Sequence, residues 1–229
     1  MSQSELSNLI WSVADLLRGD YRQSEYGRVI LAFTVLRRLD CVLAPTKDAV
    51  LDIKAKMEAQ NLPADNFMRR ASGASFYNAS TLDLTKIIGD QDNIGANLLT
   101  YIDAFSPEVR DIFERFNFTE AVDRLIKNKL LYMVTEKFAS FDLRPERVTN
   151  TQMGLVFEEL IRKSAEASND TAGEHFTPRE VIRLMVNLLF TEDDDILSHA
   201  NPVRTIYDPT AGTGGMLSVA DDYLTELNP

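Results

Sequence analysis

The stretch "TIYDPTAGTGGML", residues 205–217, decides how the chain is read. A short β-branched and aromatic run, Val203 to Tyr207, ends at Asp208 and predicts a strand. Glycines 212, 214 and 215 follow as a tight turn. Met216, Leu217, Val219, Ala220, Tyr223 and Leu224 then open a helix of apolar periodicity. Glycine admits positive φ and lets backbone approach a ligand closely, so strand, turn and helix together describe a nucleotide-type binding turn. No Gly-Lys-Ser/Thr follows, which excludes the Walker phosphate loop. The dinucleotide fingerprint is half met: Gly212-x-Gly214 is present, but Leu217 stands at the third glycine position. Gly-x-Gly alone specifies no ligand, so the rest of the chain has to choose one.

Just upstream lies "AGEHFTPREVIRLMVNLL", residues 172–189. Thr177 as N-cap, Pro178 at N1 and Glu180 at N3 predict a capping box. Val181, Ile182, Met185, Val186 and Leu189 form the expected apolar face. The free N–H groups and positive dipole end of such a helix start suit a carboxylate ligand. His175, one of two histidines, reads as a structural or exposed residue. Glu192 to Asp195 with His199 read as a solvated acidic loop and not a metal site, because consecutive carboxylates seldom converge on one ion.

Before residue 200 almost no period-two alternation is visible, and the pattern is helical. A first helix is expected from near Ser4, with Leu6, Leu9, Ile10, Val13, Leu16 and Leu17 on one stripe and Gly19 ending it. A second is expected over Tyr26–Leu43, with Val29, Ile30, Phe33, Leu36 and Leu39 inward. Arg28, Arg37 and Arg38 on that helix read as a solvated basic face, with a phosphate or partner contact as the alternative. "RRASGASFYNAS", residues 69–80, reads as a loop. Its Phe76 and Tyr77 beside Arg69 and Arg70 suit either ordinary packing, which is favoured, or a base-stacking platform. One amphipathic helix is expected around Val122, Leu125, Ile126, Leu130 and Met133, and another after a cap at Thr149 or Asn150.

Composition narrows the classes. At 229 residues and 45% hydrophobic, the chain can bury a core. No apolar run reaches the length of a membrane span, and "MSQSELSNLIWSVADLL" is not a signal peptide. The lone Cys41 cannot form an internal disulfide and reads as a small buried residue, so a cytoplasmic location is expected. Residues 1–150 carry 19 Lys and Arg against 21 Asp and Glu, while residues 151–229 carry 5 against 14. So acidic a second part is a poor sequence-independent DNA binder, which leaves local patches in the first part for any nucleic-acid contact.

Taken together, "GEHFTPRE", a helix, and "DPTAGTGG" thirty-one residues after Thr177 resemble the modification subunit, an adenine-specific DNA methyltransferase, of type I restriction–modification systems. "LIWSVADLLRGDYRQSEYGRVILAFTVLRRLD" resembles the helical N-terminal domain of that subunit, in the same order. The resemblance implies S-adenosyl-L-methionine as cofactor and adenine N6 in DNA as methyl acceptor. It also implies a complex with a specificity subunit and a restriction subunit. By its pattern, Asp208, Thr210, Ala211, Gly212, Thr213, Gly214 and Gly215 form the cofactor turn. Glu174, His175, Phe176, Thr177, Pro178 and Arg179 form a second cofactor segment, with His175 standing where relatives often carry an aromatic residue.

Family enzymes also carry an Asn-Pro-Pro-aromatic motif, which holds the flipped adenine. Neither Asn201-Pro202-Val203 nor Asn228-Pro229 supplies it, and the acidic ribose-binding residue expected after a second strand is not found either. No catalytic and no metal-ligating residue is therefore assigned. The expected fold is mainly α: an all-helical domain over residues 1–150, then residues 151–229 as the incomplete start of a Rossmann-like methyltransferase domain. A chain ending there is expected to be inactive alone. Its strand from Val203 to Tyr207 is expected to be mobile or to pair with a second copy, leaving Leu217, Val219 and Leu224 exposed. A non-catalytic helical adaptor for DNA or protein is the rival reading; a dehydrogenase fragment is weakened by Leu217 and by Thr177-Pro178.

Overall fold

A computed structural model describes residues 12–150, 152–155, 157, 160, 177–191, 205–211 and 214–227. The chain divides into two compact units, Met1–Ser164 and Ala165–Pro229. The described residues are mainly helical and contain no sheet, only isolated bridges between Arg18 and Tyr21 and between Asn78 and Phe105.

In the first unit residues 12–17 are helical (α1) and end at Gly19, whose φ of +96° is the left-handed geometry glycine adopts without strain. The part of the expected first stripe carried by Leu6, Leu9 and Ile10 lies outside the described residues. Helix α2, Gln23–Leu43, is the central element. Its Val29, Ile30, Phe33 and Leu36 are buried as the three-and-four spacing requires, and Leu39 is half-buried. Around it run α3 (Lys47–Ala59), α4 (Asp65–Ser72), α5 (Leu84–Ile88), α6 (Ile94–Asp103), α7 (Pro107–Arg115), α8 (Phe118–Lys127) and α9 (Leu131–Ala139). The Phe33 ring lies 5.2 Å from Phe118 and 5.4 Å from Phe138, so α2, α8 and α9 meet through one aromatic cluster. Fully burying one such ring contributes about 2–3 kcal/mol. A smaller cluster of Val50, Met68 and Tyr77 joins α3 to α4.

Two helix ends differ from the sequence reading. Residues 69–72 are helical, not loop: Asp65 and Arg69 pair one turn apart at 2.9 Å, Met68 and Ser72 are buried, and Gly73 at φ +67° closes the helix. The single helix expected through Val122 to Met133 is two. Lys129 takes φ +59°, the Leu130 N–H reaches the Leu125 carbonyl at 2.8 Å, and the Lys129 N–H reaches Ile126 at 2.9 Å. That is the left-handed closure glycine usually supplies, here made by lysine, and it leaves Ile126 and Met133 largely exposed. The cap ahead of residues 150 and 152–155 (α10) is Thr149, which exchanges hydrogen bonds with Gln152 in both directions, at 2.9 and 3.2 Å.

Arg37 and Arg38 of α2 are neither part of a solvated face nor free for a phosphate. Arg37 Nε donates to the Phe141 carbonyl at 2.7 Å and Nη1 to Asp40 at 2.6 Å. Arg38 Nη1 donates to the carbonyls of Leu143 (2.5 Å) and Val148 (2.8 Å), and Nη2 to the Asn150 side chain at 2.8 Å. Together they fasten the segment after α9 onto α2, and only Arg28 of the three remains exposed. Buried Asp40 also accepts from the Tyr101 hydroxyl at 2.8 Å, and burial drives the Tyr101 pKa well up. Cys41 is buried, and burial raises its thiol pKa, as befits a packing residue. Arg69 is held by Glu108 and Asp65 and lies 5.7 Å from the Tyr77 ring; Tyr77 is buried and Phe76 packs on the core, so this is packing and not a stacking platform.

The second unit is described through α11 (Arg179–Phe190) and α12 (Gly215–Leu227). Ile182, Val186 and Phe190 bury against Val219 and Ala220, with the Phe190 and Tyr223 rings 5.5 Å apart. Val219 is thus covered by α11, against the expectation of exposure; Leu217 is 37% exposed and Leu224 half-buried. Of the predicted apolar face of α11, Val181, Met185 and Leu189 are exposed, together with Leu184 and Leu188. No helix among the described residues is long and apolar enough to cross a membrane.

Candidate functional site

The two segments singled out for a cofactor are brought together in the second unit. Ile182, in the first turn of α11, lies against Gly215, the first residue of α12: a Cβ added to Gly215 would stand 2.8 Å from Ile182 Cδ1. Two helix N-termini therefore open within a turn of each other, and their partial positive charges add on one side. Higher contacts climb both helices in the same sense, from Ile182 with Gly215 to Phe190 with Tyr223.

The start of α11 differs from the predicted capping box. Pro178, at φ −53° and ψ 137°, is itself the N-cap, its carbonyl accepting from the Val181 and Ile182 N–H groups at 3.0 and 3.1 Å. The helix thus begins one residue later than expected, and no side chain among the described residues caps it. Thr177 stands just outside, exposed, and makes no hydrogen bond among the described residues. Its hydroxyl and the uncapped turn behind it present donors to an anionic group.

The turn itself is set by two short bonds. Asp208 Oδ1 accepts from the Thr210 N–H at 2.9 Å and the Thr210 hydroxyl at 3.3 Å, an Asx-type turn that fixes the chain after Tyr207. The Gly214 N–H reaches the Ala211 carbonyl at 2.7 Å, and Gly214 adopts φ +77° with open space where a Cβ would be. Gly214 is needed for its backbone angle, whereas an added Cβ at Gly215 would have to displace the end of the Ile182 side chain. Residues 205–208 form no strand; no described residue pairs with them, and a strand is defined by its ladder. Ile206 packs on the α11–α12 cluster and Tyr207 is 82% exposed. Glu174, His175, Phe176, Gly212 and Thr213, and the strand residues Val203 and Arg204, lie outside the described residues.

Arg179 Nη2 donates to Asp222 Oδ2 at 2.7 Å, and one turn further on Arg183 faces Glu226 at 3.6 Å. The sequence reading missed Asp222 and Glu226. Their spacing of four on α12 matches that of Arg179 and Arg183 on α11, a signal that paired helical segments carry.

In chain order, a helical unit is followed by a helix start set against an Asp-initiated glycine turn. The chain belongs to the HsdM N-terminal domain family, whose pattern matches residues 6–138, and residues 148–228 match the N-6 DNA Methylase family. It is similar to the type I restriction enzyme StySPI methylase subunit of Salmonella potsdam, 28% identical over 62% of this chain and 25% of that protein. It is also similar to the MjaIX methylase subunit of Methanocaldococcus jannaschii, 22% identical over 96% of this chain and 40% of that protein. Over 31% of the chain it is 35% identical to the EcoKI methylase subunit of Escherichia coli K12, covering 12% of that protein. The chain spans well under half the length of these relatives.

Proposed function

We propose that the chain forms the leading part of a DNA methyltransferase that moves a methyl group from S-adenosylmethionine to adenine N6. It acts with a specificity subunit and a restriction subunit in the cytoplasm. The relatives' description as type I methylase subunits and the N-6 DNA Methylase match support this reading. The observation that carries the cofactor assignment is the meeting of two helix starts, one with no side-chain cap and with Thr177 beside it making no hydrogen bond among the described residues. When bound, the cofactor supplies the transferable methyl group. Thr177 and the N–H groups opening α11 would hold its carboxylate, and the turn from Asp208 to Gly215 would admit its adenosyl part. Glu174, His175 and Phe176 belong to the same proposal, Phe176 as an apolar wall. We place the methyltransferase portion from residue 151 onward and the helical domain over 1–150.

Amide-resolved NMR titration of the chain with S-adenosylmethionine tests this. Saturable shifts are expected in both segments, Thr177–Glu180 and Asp208–Met216, with Kd near millimolar, about 4 kcal/mol. Shifts in neither segment would refute the assignment. These residues contain no Asn-Pro-Pro-aromatic motif, so methyl transfer by this chain alone to unmethylated DNA is expected at background.

A further inference from the structure

Arg179 sits in a segment assigned to the cofactor, and its guanidinium also pairs with a residue outside both cofactor segments. Asp222, which it meets at 2.7 Å, lies seven residues beyond Gly215, about 10 Å along α12. The Arg179 side chain is only 18% exposed there. Ile182 presses on Gly215, and Arg183 with Glu226 repeats the ionic contact one turn on. The glycine allows the close approach, and the ion pair fixes how far one helix has slid along the other.

We propose that Arg179 is a positioning residue for the cofactor site: acting through Asp222, it holds the first turns of α11 and α12 in register, so that Thr177 and the glycine turn face one ligand. The proposal rests on the cofactor reading above. It makes Asp222, which belongs to neither cofactor segment, matter for binding.

The signs of the two single variants separate positioning from simple charge. S-adenosylmethionine carries a sulfonium and an ammonium against one carboxylate, so electrostatics alone makes removal of the Arg179 cation and removal of the Asp222 anion act in opposite directions. Positioning predicts a loss in both. In the full chain, Arg179→Ala and Asp222→Asn should each weaken S-adenosylmethionine binding about three- to fivefold, as expected for a partly exposed pair. The double variant should be no weaker than either single one, and Arg179→Lys should recover part of the loss. Tighter or unchanged binding in Asp222→Asn, or additive losses, overturns the proposal. Amide hydrogen exchange over Gly215–Val219 gives an independent reading, expected to speed up equally in both single variants and to be restored by Arg179→Asp combined with Asp222→Arg. If the unaltered chain binds no cofactor, the functional reading fails, and the exchange data alone decide the positioning: unequal effects or no restoration refute it.

Discussion

Replacing Arg38 by alanine removes three hydrogen bonds that bind α2 to residues 143–150. Two of the acceptors are main-chain carbonyls of residues almost wholly inside, Leu143 at 0% and Val148 at 1% exposure. A buried acceptor left without a donor costs about 1–3 kcal/mol, and the bonds lost come from a charged donor. Allowing solvent to enter the vacated position brings the sum for Arg38→Ala to about 3 kcal/mol. For a unit of this size that lowers Tm by roughly 6–12 °C. Thermal unfolding followed by circular dichroism, with urea unfolding as a second probe, measures it. Arg38→Lys should recover less than half, because an ammonium cannot reproduce the guanidinium fork. Arg28→Ala, at an exposed position on the same helix, should stay within about 0.5 kcal/mol. A Tm drop below about 2 °C for Arg38→Ala would show that the fastening contributes little and that the reasoning from buried carbonyls is wrong.

Acid should loosen the helical unit in a defined window. The hydrogen bond from Arg124 holds Glu25 down to about 2, that from Arg69 holds Glu108 to about 2, and that from Arg144 holds Asp142 to about 2. Depressed carboxylates contribute stability that is complete above their unfolded values near pH 4 and lost as pH falls toward 2. Urea midpoints should therefore decline between about pH 4.5 and 2, and Arg69→Ala should return the Glu108 titration toward the ordinary range by NMR. Gly73→Ala meets no neighbour within 4 Å but must hold φ +67°, so it should cost about 1 kcal/mol in urea unfolding. Lys129→Gly, at φ +59°, should stabilise by about 0.5–1 kcal/mol in the same assay; destabilisation there would mean the lysine side chain is a needed contact.

The apolar stripes of α2 and α8 were legible because burial against one neighbour imposes a 3.6-residue period on the sequence. Helix ends were less so. Lys129 closes α8 in the conformation glycine normally marks, and Pro178 takes the cap position that Thr177, Pro178 and Glu180 appoint to Thr177. Arg37 and Arg38 were misread for a different reason: they donate to carbonyls more than a hundred positions away, and a carbonyl carries no residue identity to be read. Within the candidate site, the pairing of the two segments was expected from their order, whereas the Gly215–Ile182 contact and the Arg179–Asp222 pair depend on how α11 lies on α12. The predicted strand required a ladder partner, and local β propensity cannot provide one.

The fastening of α2 also sets an order of events during synthesis. Arg37 and Arg38 leave the ribosome early, but the carbonyls they bind are 104 to 110 residues behind them. At about 5–20 residues per second the helix waits roughly 5–20 s for those acceptors. For most of that interval the Phe33 face lacks the α8 and α9 rings that later cover it, Phe118 emerging before Phe138, and both guanidiniums remain in water. The helical unit therefore reaches its final packing only when residues near 150 emerge, and its first complete helix is among the last to be secured.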